Sequence, residues 1–402
     1  MSPRQTTLMI AGLSSLGPFA IDTYLPAFHA IALDLNTTDL KVQQTLTAYV
    51  VSFAFMNLWH GALSDSIGRK PVVLGTLVLF ALTCLGAATS QSIDQLWAWR
   101  AAQGLVGGAG MIIGRAIIRD LFDGSDAQRQ ISNVMMIFSL APVIAPIAGG
   151  FIYAGFGWRA IFIFLSLYAS VLAAALWWLM PETLPASQRQ SLRPMNLLRG
   201  YRTIFSSPVF WRTSLALTLF FQGFFLYILG SPVFGRIHLG LEPTEFAWIF
   251  VPGVVGTIVG SAISSRMAGR FSLGRAIGFG VGLMLLAATG NVIMNWFWPP
   301  GLPWAVMHLP IYTLGLALAM ASLQVRLLDL MPSRRGMVTS CHGCLQSTLI
   351  GINAGLLVPL LWGSTLLMAL GMLCCTAGAI LLYGNWIRNH PNHVVLSSTG
   401  AG

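Results

Sequence analysis

Twelve apolar runs, each long enough for one crossing of a lipid bilayer, divide this chain from end to end. They fall at about residues 7–33, 42–63, 71–89, 95–117, 131–153, 159–180, 209–233, 245–265, 275–297, 303–325, 337–359 and 362–383. A helix rises 1.5 Å per residue, so roughly 20 apolar residues cross the hydrocarbon layer. A water-soluble surface is excluded, because charged residues make up 8% of the 402, against roughly 25% in soluble domains. Backbone groups in lipid must be satisfied internally, and uninterrupted runs of this length do so as helices. The first run is too long for a secretory signal and carries Pro18, Asp22 and Pro26, so it reads as an uncleaved span.

The net charge of +10 comes from basic residues scattered over short connectors. They build no basic amphipathic element, and a nucleic-acid partner is not expected. With the N-terminus in the cytoplasm, eighteen of the 22 Lys and Arg fall in cytoplasmic connectors or ends. Lys41, Arg159 and Arg236 fall outside, and Arg100 lies within a span. The positive-inside rule therefore predicts an even number of spans with both termini cytoplasmic. One connector, rich in Pro and Arg, is longer than the rest. It divides the chain into a six-helix bundle at 1–183, a cytoplasmic linker at 184–208 and a second six-helix bundle at 209–402. A polar, unstructured tail is expected from Gly384. The fold class is thus all-α, with twelve transmembrane helices in two six-helix bundles.

Counting acids gives the sharpest functional signal. Of the twelve, only Asp22 lies inside a span, about eleven residues or 16 Å from the outer face. A carboxylate there costs about 2.5–3.5 kcal/mol on insertion scales, which marks it as a functional group that can take up and release a proton. Arg100, about 9 Å deep, is the one intramembrane arginine and can reach toward Asp22 if spans one and four are neighbours. Gln103, Gly104 and Gly107 share its helix face. A broad apolar cavity is drawn from Tyr24, Tyr49, Phe53, Met135, Phe221, Phe224, Phe225, Tyr227 and Tyr312. Intramembrane His308 is assigned to the same cavity as a pore-facing hydrogen-bonding residue or second proton group. Pro142 and Pro146 are expected to kink span five beside its small-residue face, Gly149 and Gly150.

The five cysteines lie in or just inside apolar runs and imply no disulfide framework. Cys341-His342-Gly343-Cys344 has the spacing of a redox or metal pair. It lacks a second ligand pair nearby in sequence, so neither a metal site nor catalytic residues are assigned.

The second connector reads Gly61-Ala62-Leu63-Ser64-Asp65-Ser66-Ile67-Gly68-Arg69-Lys70. It resembles the G-x-L-x-D-x-x-G-R-[RK] signature of the major facilitator superfamily, whose two six-span halves flank a central site. Further pieces are Ile21-Asp22-Thr23-Tyr24-Leu25-Pro26, Arg100-Ala101-Ala102-Gln103-Gly104, Ala145-Pro146-Ile147-Ala148-Gly149-Gly150 and Pro181-Glu182-Thr183. Together they resemble the Bcr/CflA group of bacterial drug:proton antiporters, although Ala145 stands where the group's fifth-span motif has glycine. The resemblance implies a multi-pass bacterial inner-membrane exporter, a secondary transporter and not an enzyme. It would be driven by protons without a cofactor and work as a monomer on hydrophobic small-molecule drugs. Asp22 and Arg100 would couple the proton. Gly61, Asp65, Gly68, Arg69, Lys70, Gln103, Gly104, Pro142, Pro146, Gly149 and Gly150 would serve the conformational switch. The alternatives are a transporter of a small metabolite, a membrane sensor that transports nothing, and a thiol enzyme using Cys341 and Cys344.

Overall fold

A computed structural model describes residues 2–189, 194–267, 270–329 and 335–389. Among them there is no strand. Eleven helical segments are long and apolar enough to cross a membrane, and a bent pair makes a possible twelfth.

The first compact unit comprises Met1–Pro194 with the short segment Pro243–Ala247. Its helices are α1 Pro3–Asp22, α2 Phe28–Asp34, α3 Asp39–Asn57, α4 His60–Ile67, α5 Arg69–Ala88, α6 Ile93–Gly107, α7 Ala109–Leu121, α8 Gly124–Phe138, α9 Ala141–Phe156 and α10 Trp158–Leu179. Local chemistry sets several starts. Ser2 and Gln5 form a capping box at α1, and the Thr38 and Ser92 hydroxyls cap α3 and α6. Gly68 separates α4 from α5 at φ 120°, a conformation that side chains rarely adopt.

Four expected spans of this unit are broken, the fourth where α6 gives way to α7 at Gly108. The first stops at Asp22 and passes through a 3-10 turn at Leu25–Ala27 before resuming as α2. Pro26 in that turn has no N–H to continue the ladder. The second bends by 49° between α3 and α4. The fifth breaks between α8 and α9, so Pro142 occupies the first turn of α9 and does not kink a helix interior, whereas Pro146 lies inside α9. The first-turn position tolerates proline because its N–H would be unpaired anyway.

The second unit holds Met195–Glu242 and Trp248–Gly402. It is built from α11 Pro194–Phe205, α12 Pro208–Leu229, α13 Ser231–Val233, α14 Ala247–Met267, α15 Leu273–Phe297, α16 His308–Asp329, α17 Arg335–Ile352, α18 Val358–Leu361 and α19 Thr365–Asn389. One-turn π-helices at Phe234–His238 and Asn353–Leu357 interrupt the seventh and eleventh spans. The tail expected from Gly384 is helical as far as Asn389, and its remainder lies outside the described residues.

Packing explains the apolar excess. In the first unit α3 lies along α6, and α5 lies along α6 and α10; in the second, α15 lies along α16, and α12 along α19. The opposite faces stay uncovered: Ile163, Leu167 and Val171 repeat every four residues on exposed α10, and Val78 and Leu82 do so on α5. One helix face repeats with that spacing, and lipid tails solvate such a stripe as water cannot.

Candidate functional site

Three groups of polar side chains stand out inside these apolar bundles. The first surrounds Arg100. Ser92 starts α6, which carries Arg100 about two turns in, fully buried. Gly104 and Gly107 clear the way for α3: a Cβ on Gly104 would fall on the Tyr49 carbonyl oxygen, and one on Gly107 would lie 2.6 Å from the Tyr49 hydroxyl. That approach brings the Tyr49 ring centroid to 4.4 Å from the Arg100 guanidinium carbon, and Tyr24 lies at the same distance. Aromatic faces attract a guanidinium more strongly when water is excluded. Arg100 Nη1 donates to Gln103 Oε1, and Gln103 Nε2 donates to Cys84 Sγ at 2.8 Å. Nε and Nη2 of Arg100 make no hydrogen bond.

Asp22 ends α1 and is 5% exposed. Its carboxyl makes no side-chain hydrogen bond or ion pair with the described residues. The anticipated reach of Arg100 toward Asp22 therefore does not close into an ion pair. Because the helix stops at Asp22, the ring of Tyr24 meets the guanidinium in place of the carboxylate. The outcome is a carboxyl without a side-chain partner among the described residues and, in the same unit, a guanidinium held between aromatic faces. Tyr24 and Tyr49 thus serve the arginine. Phe53 lies against Gly17 and Gly108, and Met135 is half-buried on α8.

The second group is the α4–α5 turn. Gly61 lies in ordinary contact with Ile112, and a Cβ on Gly68 would come within 2.5 Å of Glu182 Oε2. Arg69 is 7% exposed. Its Nη1 donates to Asp65 Oδ1 and to Ser64 Oγ at 2.7 Å, and its Nε donates to Asp120 Oδ2 at 3.1 Å. The backbone N–H of Arg69 donates to Glu182 Oε1 at 3.0 Å. Thr183 Oγ1 donates to Asp120 Oδ2 at 3.0 Å, and Lys70 Nζ donates to the Trp177 carbonyl at 2.9 Å. One turn thereby ties the ends of spans two, three, four and six. Asp120 carries no role in the sequence reading, and Glu182 enters it only within the Pro181-Glu182-Thr183 motif. They stand 51 and 113 residues from Arg69, and only the helix packing brings them to it.

The third group belongs to the second unit. The His308 ring lies 4.5 Å from that of Tyr227, and neither of its nitrogens makes a hydrogen bond. Tyr227 OH accepts from Asn291 Nδ2 at 2.6 Å, and Tyr312 OH donates to the Phe220 carbonyl at 2.9 Å. Phe221 stacks on Phe225 at 4.6 Å, and Phe224 meets Phe225 edge-on at 6.0 Å; all three are half-buried. His342 Nδ1 is bonded to Ser214 Oγ at 2.6 Å, so the Cys-His-Gly-Cys segment has its histidine engaged in helix packing. No cluster of metal-ligating side chains occurs among the described residues.

Backbone contact marks the remaining glycines. A Cβ on Gly149 would fall on the Thr23 carbonyl oxygen, beside the break in the first span, and one on Gly150 on that of Pro243. In the second unit Gly256 faces the Pro310 carbonyl in the same way.

Residues 8–354 match the profile of the Major Facilitator Superfamily. The chain is 30% identical over 383 residues to a bicyclomycin resistance protein homolog of Haemophilus influenzae, covering 94% of each. It is 27% identical over 352 residues to the multidrug transporter MdfA of Yersinia pestis, covering 86% of this chain and 85% of that one. The crystal structure of a bacterial homolog of the human lysosomal transporter Spinster superposes with a TM-score of 0.69 at 18% identity. That alignment covers 98% of this chain and 97% of the other, and shows a shared fold. The chain belongs to the major facilitator superfamily: it is a multi-pass membrane transporter, not an enzyme, and is similar to the Bcr/CflA group that its motifs resemble.

Proposed function

We propose that this transporter exports hydrophobic drugs in exchange for protons by alternating access, and that Asp22 carries the proton. The observation that bears most weight is a carboxyl at the broken end of the first span, 5% exposed and without a side-chain partner. A carboxylate engaged by an arginine would be held in its charged form. An unengaged one inside an apolar bundle can exchange its proton as the surroundings change. The relatives named for bicyclomycin and multidrug resistance support drugs as the cargo. The half-buried Phe221, Phe224 and Phe225 offer apolar contact surface. Arg100, clamped by Tyr24 and Tyr49, supplies a fixed positive field in the same unit as Asp22. The distribution of Lys and Arg favours cytoplasmic termini and a bacterial inner membrane.

On this reading, proton binding and drug release compete, and each biases the balance between two access states. The test is drug uptake into inverted vesicles under an imposed proton gradient, beside drug binding measured across pH. Asp22→Asn keeps the shape but cannot titrate. It should abolish gradient-driven accumulation while leaving binding of a neutral drug intact and no longer dependent on pH. Asp22→Glu should retain some coupling with a displaced pH optimum. Undiminished uphill uptake by the Asn variant would remove Asp22 from the mechanism.

A further inference from the structure

A cavity of about 550 Å³ opens where the first turns of α1 meet the start of α8. Its size lies within the roughly 300–1,000 Å³ of small-ligand sites. Arg4 and Arg129 line it, with Phe122 and Asp126. The floor is Thr7 and Gln130, each more than nine-tenths buried and joined by a hydrogen bond from Thr7 Oγ1 to Gln130 Oε1. With its oxygen so engaged, the Gln130 carboxamide lines the cavity with Nε2 donors that meet no acceptor among the described residues. Neither arginine makes an ion pair with a described residue, and Asp126, three residues from Arg129, does not neutralise it. Arg69, Arg159 and Arg189, by contrast, each have a carboxylate within 4 Å.

We infer that this cavity is a phosphate-binding site, holding an oxyanion between the Arg4 and Arg129 guanidiniums with the Gln130 amide beneath it. Two guanidiniums against one carboxylate leave a net positive cavity. Their planar forks of N–H donors match phosphate oxygens. Chain topology places the start of α1, the α4–α5 turn and the α7–α8 connector at one end of the first unit. That end is a membrane–water boundary, where the phosphate of an anionic lipid headgroup and free phosphate are both available. Phe122 in the lining suits the acyl-facing side of a headgroup.

The test is thermal unfolding of the full chain in neutral detergent, with phosphatidylglycerol, phosphatidylcholine or inorganic phosphate added. Phosphatidylglycerol should raise the midpoint and phosphatidylcholine should not. The double variant Arg4→Gln/Arg129→Gln should lose the rise, Arg202→Gln on α11 should keep it, and Asp126→Asn should enlarge it. The phosphatidylglycerol that co-purifies with each variant, counted by native mass spectrometry, gives a readout independent of stability. A rise with inorganic phosphate through the same two arginines supports the site with the free anion as its ligand. A double variant that responds and retains lipid like wild type overturns the site, as does equal loss in Arg202→Gln.

Discussion

Asp120→Asn separates the structural account of the α4–α5 turn from its sequence motif. The motif names Asp65 and Arg69, whereas the geometry gives Arg69 two carboxylates. Unit charges 3.1 Å apart, the Nε–Oδ2 distance of the Arg69–Asp120 pair, interact by about 5 kcal/mol at an effective dielectric constant of about 20. Desolvation offsets much of that. Removing one partner of a buried pair costs about 3–5 kcal/mol, whereas exposed pairs contribute about 0–1 kcal/mol. The Asp120 side chain is 19% exposed and that of Asp65 is 43% exposed, each against 9% for Arg69. Asp120→Asn should therefore cost about 2–3 kcal/mol and Asp65→Asn about 0.5–1 kcal/mol. Their midpoints of denaturant-induced unfolding in mild detergent give the order, and drug binding and vesicle export run alongside. Asp65→Asn should retain binding and slow export, because the turn ties four span ends of the first unit. Equal midpoints for the two variants would refute the burial argument, and loss of binding with normal turnover would refute the switching role.

Arg100→Ala should abolish proton-driven uptake while Arg100→Lys keeps part of it, since a lysine preserves the charge over Tyr24 and Tyr49 but not the fork to Gln103. Full uptake by the alanine variant would show the arginine to be a packing element only. Gly149→Leu and Gly256→Leu should each stop transport with helix content by circular dichroism unchanged. Their side chains would enter the Thr23 and Pro310 carbonyls, an overpacking of about 1–3 kcal/mol. Wild-type rates from both would remove the close-contact argument.

The spans were legible because hydrocarbon imposes one dominant rule, and twelve runs obey it. The breaks were less legible. Pro26 and Asp22 mark the first in the sequence, but the bend after Asn57 has no proline, and the π-turn at Phe234–His238 has no compositional sign. Asp22 and Arg100 stand out because each lies well inside an apolar run, away from its ends. Their separation does not, because it depends on where Tyr24 points once the helix ends. Asp120 reads as an ordinary acid at a span end, and Glu182 as part of a motif with no partner named. Their meeting with Arg69 is a property of packing between distant segments, which no local window contains. Residue type alone points Tyr49 and Tyr24 to a drug surface, and the Arg100 guanidinium that lies over both rings appears in no local pattern.

The glycine contacts on α6 and α9 have a mechanical consequence. Helices usually interlock by seating side-chain ridges in grooves, and displacing them means lifting one ridge over the next. At Gly104 the nearest partner atom is the carbonyl oxygen of Tyr49, with the Ser52 Cβ beyond it, and at Gly149 it is the carbonyl oxygen of Thr23. Such surfaces have no teeth. They resist separation through close dispersion contact but offer little resistance to sliding along the axis. The approach of the first span to α9 at Thr23, one residue from Asp22, thus rests on backbone contact that any side chain at Gly149 would block.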